Sequence, residues 1–294
     1  MKAPTVVAEI GCNHKGSMEI ARELITVAAT FCKADYVKFQ KRCNRELLTP
    51  GQYEAPHPNP ANSYGDTYGA HREFLELDVE QHRELQAHCA AMNIGYACSV
   101  WDVTSAKEIT TLNPAYIKIP SGTNQHYALL GYLCDHFEGQ IHASLGMTTR
   151  AEEAALVRFF EERKRAKDLV LYACTSGYPV SFDDVCLLEI RRLQEAYGER
   201  VGAIGFSGHH LGIAVDVAAQ ALGATWIERH YTLDRTWKGT DHAASLEPDG
   251  LRRLVRDTRA VARALTHKPA ELLDVELPQR EKLKWRASDD GQAQ

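Results

Sequence analysis

The sequence predicts an α/β protein: a single parallel (β/α)8 barrel of the TIM type, with a long insertion after strand 2 and a short C-terminal arm. Short runs rich in β-branched and aromatic residues alternate with longer amphipathic segments, and eight such pairs follow one another. An open doubly wound sheet is the alternative, but no GxGxxG motif follows the first run. The 294 residues of the chain are enough for one barrel, a fold that typically takes about 250.

The predicted strands come in regular order along the chain. They are residues 5–11, 36–41, 95–101, 116–121, 140–146, 169–176, 201–207 and 226–234. Between them, apolar residues recur at helical spacing, as in segments 20–31, 186–197 and 251–265. Ser17 and Asp78 stand where helix N-caps are expected.

Two segments depart from the repeat. Residues 42–77, rich in Pro, Asn, Gly and Tyr, form a long insertion after strand 2, which places it on the face of the barrel where strands end. From about residue 266 the chain is charged, contains Pro269 and Pro278, and ends in RASDDGQAQ. We therefore predict a barrel over residues 1–265 and an extended arm with a frayed end over 266–294.

Composition and charge exclude several classes of protein. The 34 basic and 39 acidic residues give a net charge of -5, which argues against a nucleic-acid-binding surface but not against an anionic small molecule. No run approaches the ~18 apolar residues that span a bilayer, and the N-terminal MKAPTVVAEIG is typical of a strand rather than a signal peptide. The eight cysteines show no CxxC spacing, which favours reduced thiols in a cytoplasmic protein.

Polar residues late in the predicted strands mark the candidate site, because the active site of a parallel barrel forms where strands end. They are Glu9, Lys38, Gln40, Ser99, Lys118, Ser121, Ser144, Thr175, Tyr178, Ser207, His209 and His230. A buried lysine needs an anionic partner. One strand lysine alone would be expected to pair with a neighbouring carboxylate, but Lys38 and Lys118 converging with serine hydroxyls predict a phosphate or carboxylate site.

Two histidines end neighbouring strands of the closed barrel. His209 and His230 can share a divalent metal, with Asp241 and Glu9 as nearby oxygen ligands or sugar-hydroxyl partners. The alternative is that each histidine is a hydrogen-bonded core group. His210 is the weaker candidate because adjacent strand residues point to opposite faces. A further histidine, His14 in GCNHKG, either faces the site or shapes the first turn.

Three stretches carry a resemblance to a known family. AEIGCNHKGSMEIARELI, VKFQK and above all GFSGHHLGIAVDVAAQALGATWIERHYTLDRTWKGTDHAASLEP resemble the sialic acid synthases, and the likeness runs from about residue 5 to about 285. Members condense phosphoenolpyruvate with a sugar aldehyde to make nonulosonic acids. The resemblance implies a divalent metal cofactor, Mn²⁺ ahead of Mg²⁺ or Co²⁺.

The resemblance also implies a role for individual residues. The metal ligands fall on His209 and His230, and the acceptor-sugar residues fall on Glu9, Tyr178 and Asp241. These three are implied to be catalytic together with Lys38 and Lys118. The phosphoenolpyruvate-binding residues fall on Lys38, Gln40, Ser99, Lys118, Ser121, Ser144, Ser176 and Ser207.

This sequence departs from the family pattern in the part of the site that binds the acceptor sugar, here called the acceptor half. The SGE motif reads Ser121-Gly122-Thr123 here, and the SDH motif reads Ser207-Gly208-His209. Typical members add a C-terminal antifreeze-like domain that lends an arginine to the partner subunit, and this sequence resembles a short form without it. Family members form homodimers through that domain. For a short form without it, the resemblance implies a homodimer less strongly. Arg72, with His71, is predicted to supply the missing contact; alternatively, the insertion only covers the barrel mouth.

The predicted function is therefore a nonulosonic acid synthase that condenses phosphoenolpyruvate with an open-chain aldose, such as N-acetylmannosamine or mannose, and releases phosphate. A non-catalytic sugar-binding homologue is one alternative. A related phosphoenolpyruvate-dependent sugar-phosphate synthase is another, although the sequence shows no clear second basic cluster for a phosphorylated acceptor.

Overall fold

A computed structural model describes residues 2–285 of the chain. Eight parallel strands form a closed barrel in sequential order, which confirms the predicted fold. The strands are β1 Thr5–Gly11, β2 Tyr36–Lys41, β3 Gly95–Val100, β4 Tyr116–Ile119, β5 Gln140–Ser144, β6 Leu169–Cys174, β7 Ala203–Gly208 and β8 Trp226–His230. Several predicted strands extend past the observed C-terminal ends, because the polar residues there already belong to the loops that build the site.

Helices follow every strand, and those outside the 42–77 insertion and the C-terminal arm pack on the outside of the barrel. The helices are α1 Met18–Val27, α2 Asn44–Leu47, α3 Pro50–Glu54, α4 Tyr68–Leu75, α5 Val79–Ala91, α6 Val103–Thr110, α7 Tyr127–His136, α8 Arg150–Glu162, α9 Glu189–Tyr197, α10 Ala214–Ala221, α11 Pro248–Ala264 and α12 Leu277–Leu283. Both predicted N-caps are confirmed: the Ser17 side chain accepts a hydrogen bond from the backbone N–H of Ile20, and Asp78 forms a capping box with Gln81.

The insertion over residues 42–77 is folded rather than a plain loop, since it contains α2, α3 and α4. Its aromatic side chains hold it together, as in the stacked rings of Tyr64 and Phe74, whose centroids are 4.9 Å apart. The hydroxyl of Tyr64 donates to the carbonyl of Lys238, in the loop after β8. Gly16, in the loop after β1, has a φ of +73°, and a Cβ there would collide with the carbonyl oxygen of Phe74. The insertion therefore packs over the mouth of the barrel.

The predicted C-terminal arm is only partly extended. The last barrel helix, α11, ends at Ala264, and α12 forms farther on, with Pro278 in its first turn, where proline is tolerated. The predicted frayed end, 286–294, lies outside the described residues. The domain boundary at 265/266 stays a prediction. No helix within residues 2–285 is long and apolar enough to cross a membrane.

Alternation along the strands separates two environments. One set of side chains faces the helices and forms the apolar core, for example Val6, Ala8 and Ile10 in β1. The other set points into the barrel, where an aromatic layer closes the lower end: the Tyr116 and His142 rings stack at 3.9 Å, and Trp226 packs edge-on against both. Above this layer, the inward side chains become polar.

Candidate active site

A cavity of about 380 Å³ opens at the C-terminal ends of the strands. Because inward side chains recur at every second residue, each strand contributes polar groups to the same space. The cavity is lined by Glu9, Lys38, Gln40, Arg42, Ser99, Trp101, Lys118, Pro120, Ser121, Gly122, Ser144, Met147, Cys174, Ser176, Tyr178, Ser207, His209, Glu228, His230 and Asp241. The two lysines and the two histidines of the prediction therefore surround one hollow.

Both strand lysines are buried and both are paired with carboxylates. Lys38 Nζ lies 2.5 Å from Glu9 Oε2 and 3.8 Å from Glu228 Oε2, and it donates to Ser99 Oγ at 2.5 Å. Lys118 Nζ lies 3.0 Å from each carboxylate oxygen of Glu228. Each lysine therefore has a glutamate partner, as expected for a single strand lysine, and each also lines the cavity, as expected for an anion site.

The two glutamates have opposite protonation behaviour. Burial raises the pKa of Glu9 to about 7, and Lys38 only partly offsets this. For Glu228, burial also acts upward, but the ammonium groups of Lys118 and Lys38 outweigh it and hold the pKa at about 2. Glu228 is therefore a fixed anion between two cations, whereas Glu9 can gain or lose a proton near neutral pH.

Serine hydroxyls line the wall between these charges. Ser207 Oγ donates to Glu228 Oε1 at 3.1 Å, and Ser121 Oγ accepts from the backbone N–H of Gly146 at 3.0 Å. A Cβ at Gly146 would collide with the hydroxyls of Ser121 and Ser176, so only glycine lets this turn approach them. The hydroxyls and lysines together form a surface that can bind the oxygens of a phosphate or carboxylate.

The histidine pair lines the same cavity, with His230 in register with Glu9. The rings of His209 and His230 have centroids 5.4 Å apart, and Tyr178 packs against His209 at 4.3 Å. His209 Nδ1 lies 3.1 Å from the carbonyl oxygen of Thr175, so it carries the proton and leaves Nε2 with a free lone pair. Burial lowers the pKa of both imidazoles, that of His209 to about 3, which keeps them neutral.

This donor set fits a divalent metal. His230 Nδ1 is buried without a hydrogen-bond partner in the described part of the chain, and His209 is oriented through a backbone carbonyl, as metal-bound histidines commonly are. Asp241 also lines the cavity; burial opposes its ionisation, but His230 and nearby cations keep its pKa below the usual value. No group of three or more His, Cys, Asp or Glu side chains between residues 2 and 285 converges on one point, so the two imidazoles would leave other coordination positions to water or substrate.

A buried network behind the cavity fixes the two strands that carry the histidines. His210 points outward, as its position next to His209 predicts, and its ring packs against Asp216 and Arg229. The Arg229 guanidinium donates to the backbone carbonyl of His210 at 2.5 Å and to that of Gly212 at 2.8 Å, and it pairs with Asp216. Arg229 thereby ties the end of β7 to β8 one residue away from each histidine.

Comparison with known proteins decides the family. A family model described as the NeuB family matches residues 24–270. The chain belongs to the NeuB family. This confirms the resemblance to sialic acid synthases.

Named relatives of this NeuB-family chain make nonulosonic acids. It is 37% identical to the N-acetylneuraminate-9-phosphate synthase of Homo sapiens, over 95% of this chain and 76% of the relative. It is 33% identical to the N,N'-diacetyllegionaminic acid synthase of Campylobacter jejuni, over 90% of this chain and 78% of the relative. The crystal structure of the N-acetylneuraminic acid synthetase of Leptospira borgpetersenii, in complex with citrate, superposes with a TM-score of 0.80 at 27% identity, covering 97% and 94% of the two chains.

Of the site residues predicted for this NeuB-family chain, two do not line the cavity, Thr175 and Arg72. Thr175 Oγ1 donates to the carbonyl of Asp184, and only its backbone carbonyl faces His209. Arg72 lies behind the wall, where its guanidinium is 3.7 Å from both Cys12 Sγ and Glu76 Oε1, and the structure does not bring it to the cavity. His71 is likewise buried among the aromatic rings of the insertion. His14 shapes the first turn, since its Nδ1 accepts a hydrogen bond from the backbone of Gly16.

Sequence reasoning missed three cavity residues that carry charge or a large ring. Glu228 was detectable, because it stands two residues before His230 in the same strand and so shares its inward face. Arg42 stands two residues after Gln40 but was assigned to the insertion, and Trp101 was read as the apolar end of its strand. Their arrangement depends on how the loops leave β2 and β3, which strand periodicity does not reveal.

Proposed function

We propose that this chain condenses phosphoenolpyruvate with an open-chain aldose, releasing phosphate and forming a nonulosonic acid. One observation carries the proposal: buried lysines and serine hydroxyls suited to a small trianion share a cavity with a neutral histidine pair suited to a Lewis-acidic metal. The named NeuB-family relatives, which are synthases of such sugar acids, support it.

Phosphoenolpyruvate would occupy the side of the cavity formed by Lys38, Lys118 and the serines. Glu228 neutralises only part of the lysine charge, and the proton that Glu9 takes up near neutral pH reduces repulsion when the anion enters. The hydroxyls of Ser99 and Ser144 donate to the remaining oxygens, and Ser207 can do so when its hydrogen leaves Glu228 Oε1. Holding both substrates in one orientation supplies much of the rate enhancement expected for a two-substrate reaction.

The acceptor aldehyde would lie at the histidine pair. When bound by His209 and His230, a divalent cation such as Mn²⁺, or Mg²⁺ or Co²⁺, polarises a carbonyl oxygen as a Lewis acid. Asp241 and Glu9 are placed to accept hydrogen bonds from the hydroxyls of the sugar, and Tyr178 packs over the histidines and restricts access of water.

The proposed reaction forms one C–C bond and one C–O bond, and it breaks the C–O bond to phosphate. C3 of phosphoenolpyruvate attacks C1 of the aldehyde, and the aldehyde oxygen takes up a proton to become a hydroxyl. Water adds to C2 and loses one proton, which balances the proton taken up by the aldehyde oxygen. The C2 hydroxyl then passes its proton to the departing phosphate as the C2–O bond to phosphate breaks, which leaves the keto acid. Glu9, with a pKa of about 7, is the group that can hold or give up a proton during these steps.

The acceptor, the compartment and the assembly are parts of the same proposal. N-acetylmannosamine and mannose are the simplest acceptors, while the named relatives differ in the substituents of their products. All eight cysteines are free thiols, which agrees with a cytoplasmic enzyme. The homodimer implied by the resemblance stays a prediction.

The decisive experiment measures phosphate release by the purified chain with phosphoenolpyruvate, Mn²⁺ and a panel of aldoses, and identifies the product by mass spectrometry. We expect phosphate and a nine-carbon keto acid in equal amounts. Lys118→Met should abolish both, whereas Arg200→Met, which removes an exposed pair with Glu161 and a contact with the Tyr197 ring, should change neither. Phosphate without a coupled product, or sugar binding without turnover for every aldose, would overturn the proposal.

A further inference from the structure

A guanidinium that the proposed reaction does not use lines the cavity on the side of β2. Arg42 directly follows β2, and its guanidinium stacks on Trp101, which directly follows β3, with Cζ 3.5 Å from the ring centroid. Its Nη2 donates to Gln40 Oε1 at 2.9 Å, and its backbone N–H donates to Glu76 Oε2 at 2.9 Å. The aromatic plane and the backbone bond hold this cation in one position at the cavity wall.

The charge of Arg42 has no carboxylate partner. No Asp or Glu oxygen of residues 2–285 lies within 4.0 Å of its guanidinium, and its Nε is buried without a hydrogen-bond partner. The carboxylate of Glu76, which accepts the backbone N–H of Arg42, already faces Arg72 at 3.7 Å and Lys41 at 3.9 Å. Burial and the neighbouring charge of Arg72 lower the pKa of Arg42 to about 10, so it remains charged at neutral pH. Unpaired cations are costly to shield from water, so this corner of the cavity is a site for an anion.

Arg42 lies beyond both lysines in the order of the barrel register. His230 is in register with Glu9 and Glu9 with Lys38, whereas Lys118 is in register, through Ser99, with Gln40. Arg42 is four residues beyond Lys38, which is about 13 Å farther toward the mouth along the strand direction. An aldose whose C1 lies at the histidines directs its far end toward the mouth, where the Arg42 side chain meets it.

We propose that Arg42, supported by Trp101, binds an anionic substituent on the end of the acceptor sugar remote from the aldehyde. This inference rests on the proposed function and makes Arg42 the specificity-determining residue of the acceptor half. Guanidinium groups bind phosphate and carboxylate through paired N–H donors, so the acceptor class is an aldose phosphate or an aldose carboxylate. The basic cluster that the sequence does not reveal is assembled by the fold, with Arg42 at the cavity and Arg72 behind it.

The test compares acceptors that differ only in the charged group. We would measure kcat/KM with saturating phosphoenolpyruvate and Mn²⁺ for N-acetylmannosamine against its 6-phosphate, and for mannose against mannose 6-phosphate and mannuronate. The unmodified chain should prefer the anionic member of each comparison. In Arg42→Gln, the ratio of kcat/KM for the anionic over the neutral sugar should fall by about 10- to 100-fold, through the KM of the acceptor, as loss of a charge-assisted hydrogen bond predicts.

Two further variants separate charge from geometry and from folding. Arg42→Lys keeps the charge but not the planar fork, and should retain an intermediate preference. Arg45→Gln is the matched control, since Arg45 lies in the same insertion, over the ring of Tyr53, and does not line the cavity. It should leave the acceptor preference unchanged. Thermal unfolding of each variant shows whether the insertion remains folded.

Direct binding keeps this inference distinguishable from the proposed function. Calorimetric titration of the Mn²⁺-loaded chain with mannose 6-phosphate and with mannose requires no turnover, so it decides the role of Arg42 even where no aldose supports phosphate release. Stronger binding of the phosphate that Arg42→Gln abolishes supports the inference. Equal losses for neutral and anionic sugars, a rise in the KM of phosphoenolpyruvate instead, or unchanged binding in Arg42→Gln would each overturn it.

Discussion

Replacing Glu228 by glutamine tests the charge arrangement on which the cavity depends. The substitution keeps the shape of the side chain and its contact with Ser207 but removes the anion that lies 3.0 Å from Lys118 and 3.8 Å from Lys38. Both ammonium groups then share one remaining carboxylate, that of Glu9, whose pKa in the unmodified chain is about 7. Two buried cations would be left with one carboxylate, and loss of the repulsion from Glu228 would lower the pKa of Glu9 and favour its ionised form.

The size of the effect follows from the geometry. At an effective dielectric constant of about 20, ion pairs at 3.0 and 3.8 Å each contribute about 4–6 kcal/mol of gross Coulomb energy, and burial of the carboxylate offsets several kcal/mol. Independently, lowering the pKa of Glu228 from 4.5 to about 2 corresponds to about 3 kcal/mol. Breaking a buried pair by removing one partner costs about 3–5 kcal/mol. We therefore expect Glu228→Gln to lower the free energy of unfolding by about 3–5 kcal/mol at pH 7.

The assay is denaturant unfolding at several pH values. Because the pKa of Glu228 is lower in the folded chain than in the unfolded chain, its contribution is fully present above about pH 4.5 and is lost as the pH falls toward 2. The difference between the unmodified chain and Glu228→Gln should shrink over that window. Glu161→Gln is the control, since it breaks an exposed pair with Arg200 and should cost at most about 1 kcal/mol.

Stabilisation by a bound anion is a second measurement, and here Glu228→Gln should gain more than the unmodified chain. Removing Glu228 increases the positive charge of the cavity, so inorganic phosphate should stabilise Glu228→Gln more than it stabilises the unmodified chain. A loss below about 1 kcal/mol at pH 7, a difference that does not change with pH, or the absence of extra stabilisation by phosphate would refute the reasoning.

Three further substitutions address other parts of the site. The unmodified chain should lose up to about 3 kcal/mol of its free energy of unfolding relative to Glu9→Gln as pH rises from about 4.5 through 7. The reason is that the raised pKa of Glu9 favours its neutral form in the folded chain. Parallel curves of unfolding free energy against pH would contradict this. His230→Gln should abolish Mn²⁺ binding by calorimetry and Mn²⁺-dependent phosphate release, and wild-type binding would remove His230 from the metal site. Gly146→Ala should raise the KM of phosphoenolpyruvate about 10-fold or more, as loss of more than one hydrogen bond predicts, since its methyl group would displace the Ser121 and Ser176 hydroxyls; an unchanged KM would show that this wall does not contact the substrate.

Much of the barrel was predictable because its signals are local. Eight β-rich runs alternating with amphipathic segments predicted all eight strands, and the N-caps at Ser17 and Asp78 were recognisable from a few neighbouring residues. Errors cluster at the C-terminal ends of strands and in the insertion. In these segments the side chains line the cavity or pack over the barrel mouth. Their order of apolar and polar residues therefore does not follow the period of a strand or a helix.

The sequence by itself determined the barrel, the family and most of the polar side chains that face the cavity, because period-2 alternation and the order of the strands follow directly from the chain. Only the tertiary structure decided how their charges are matched. It placed Glu228 between two lysines from strands far apart in sequence and set Arg42 rather than Arg72 at the cavity wall. There the Arg42 guanidinium stacks on Trp101 with no carboxylate of residues 2–285 within 4.0 Å. Such pairings depend on the direction in which loops leave the strands and on which ionised groups burial brings within a few ångströms, and neither is encoded in a local pattern.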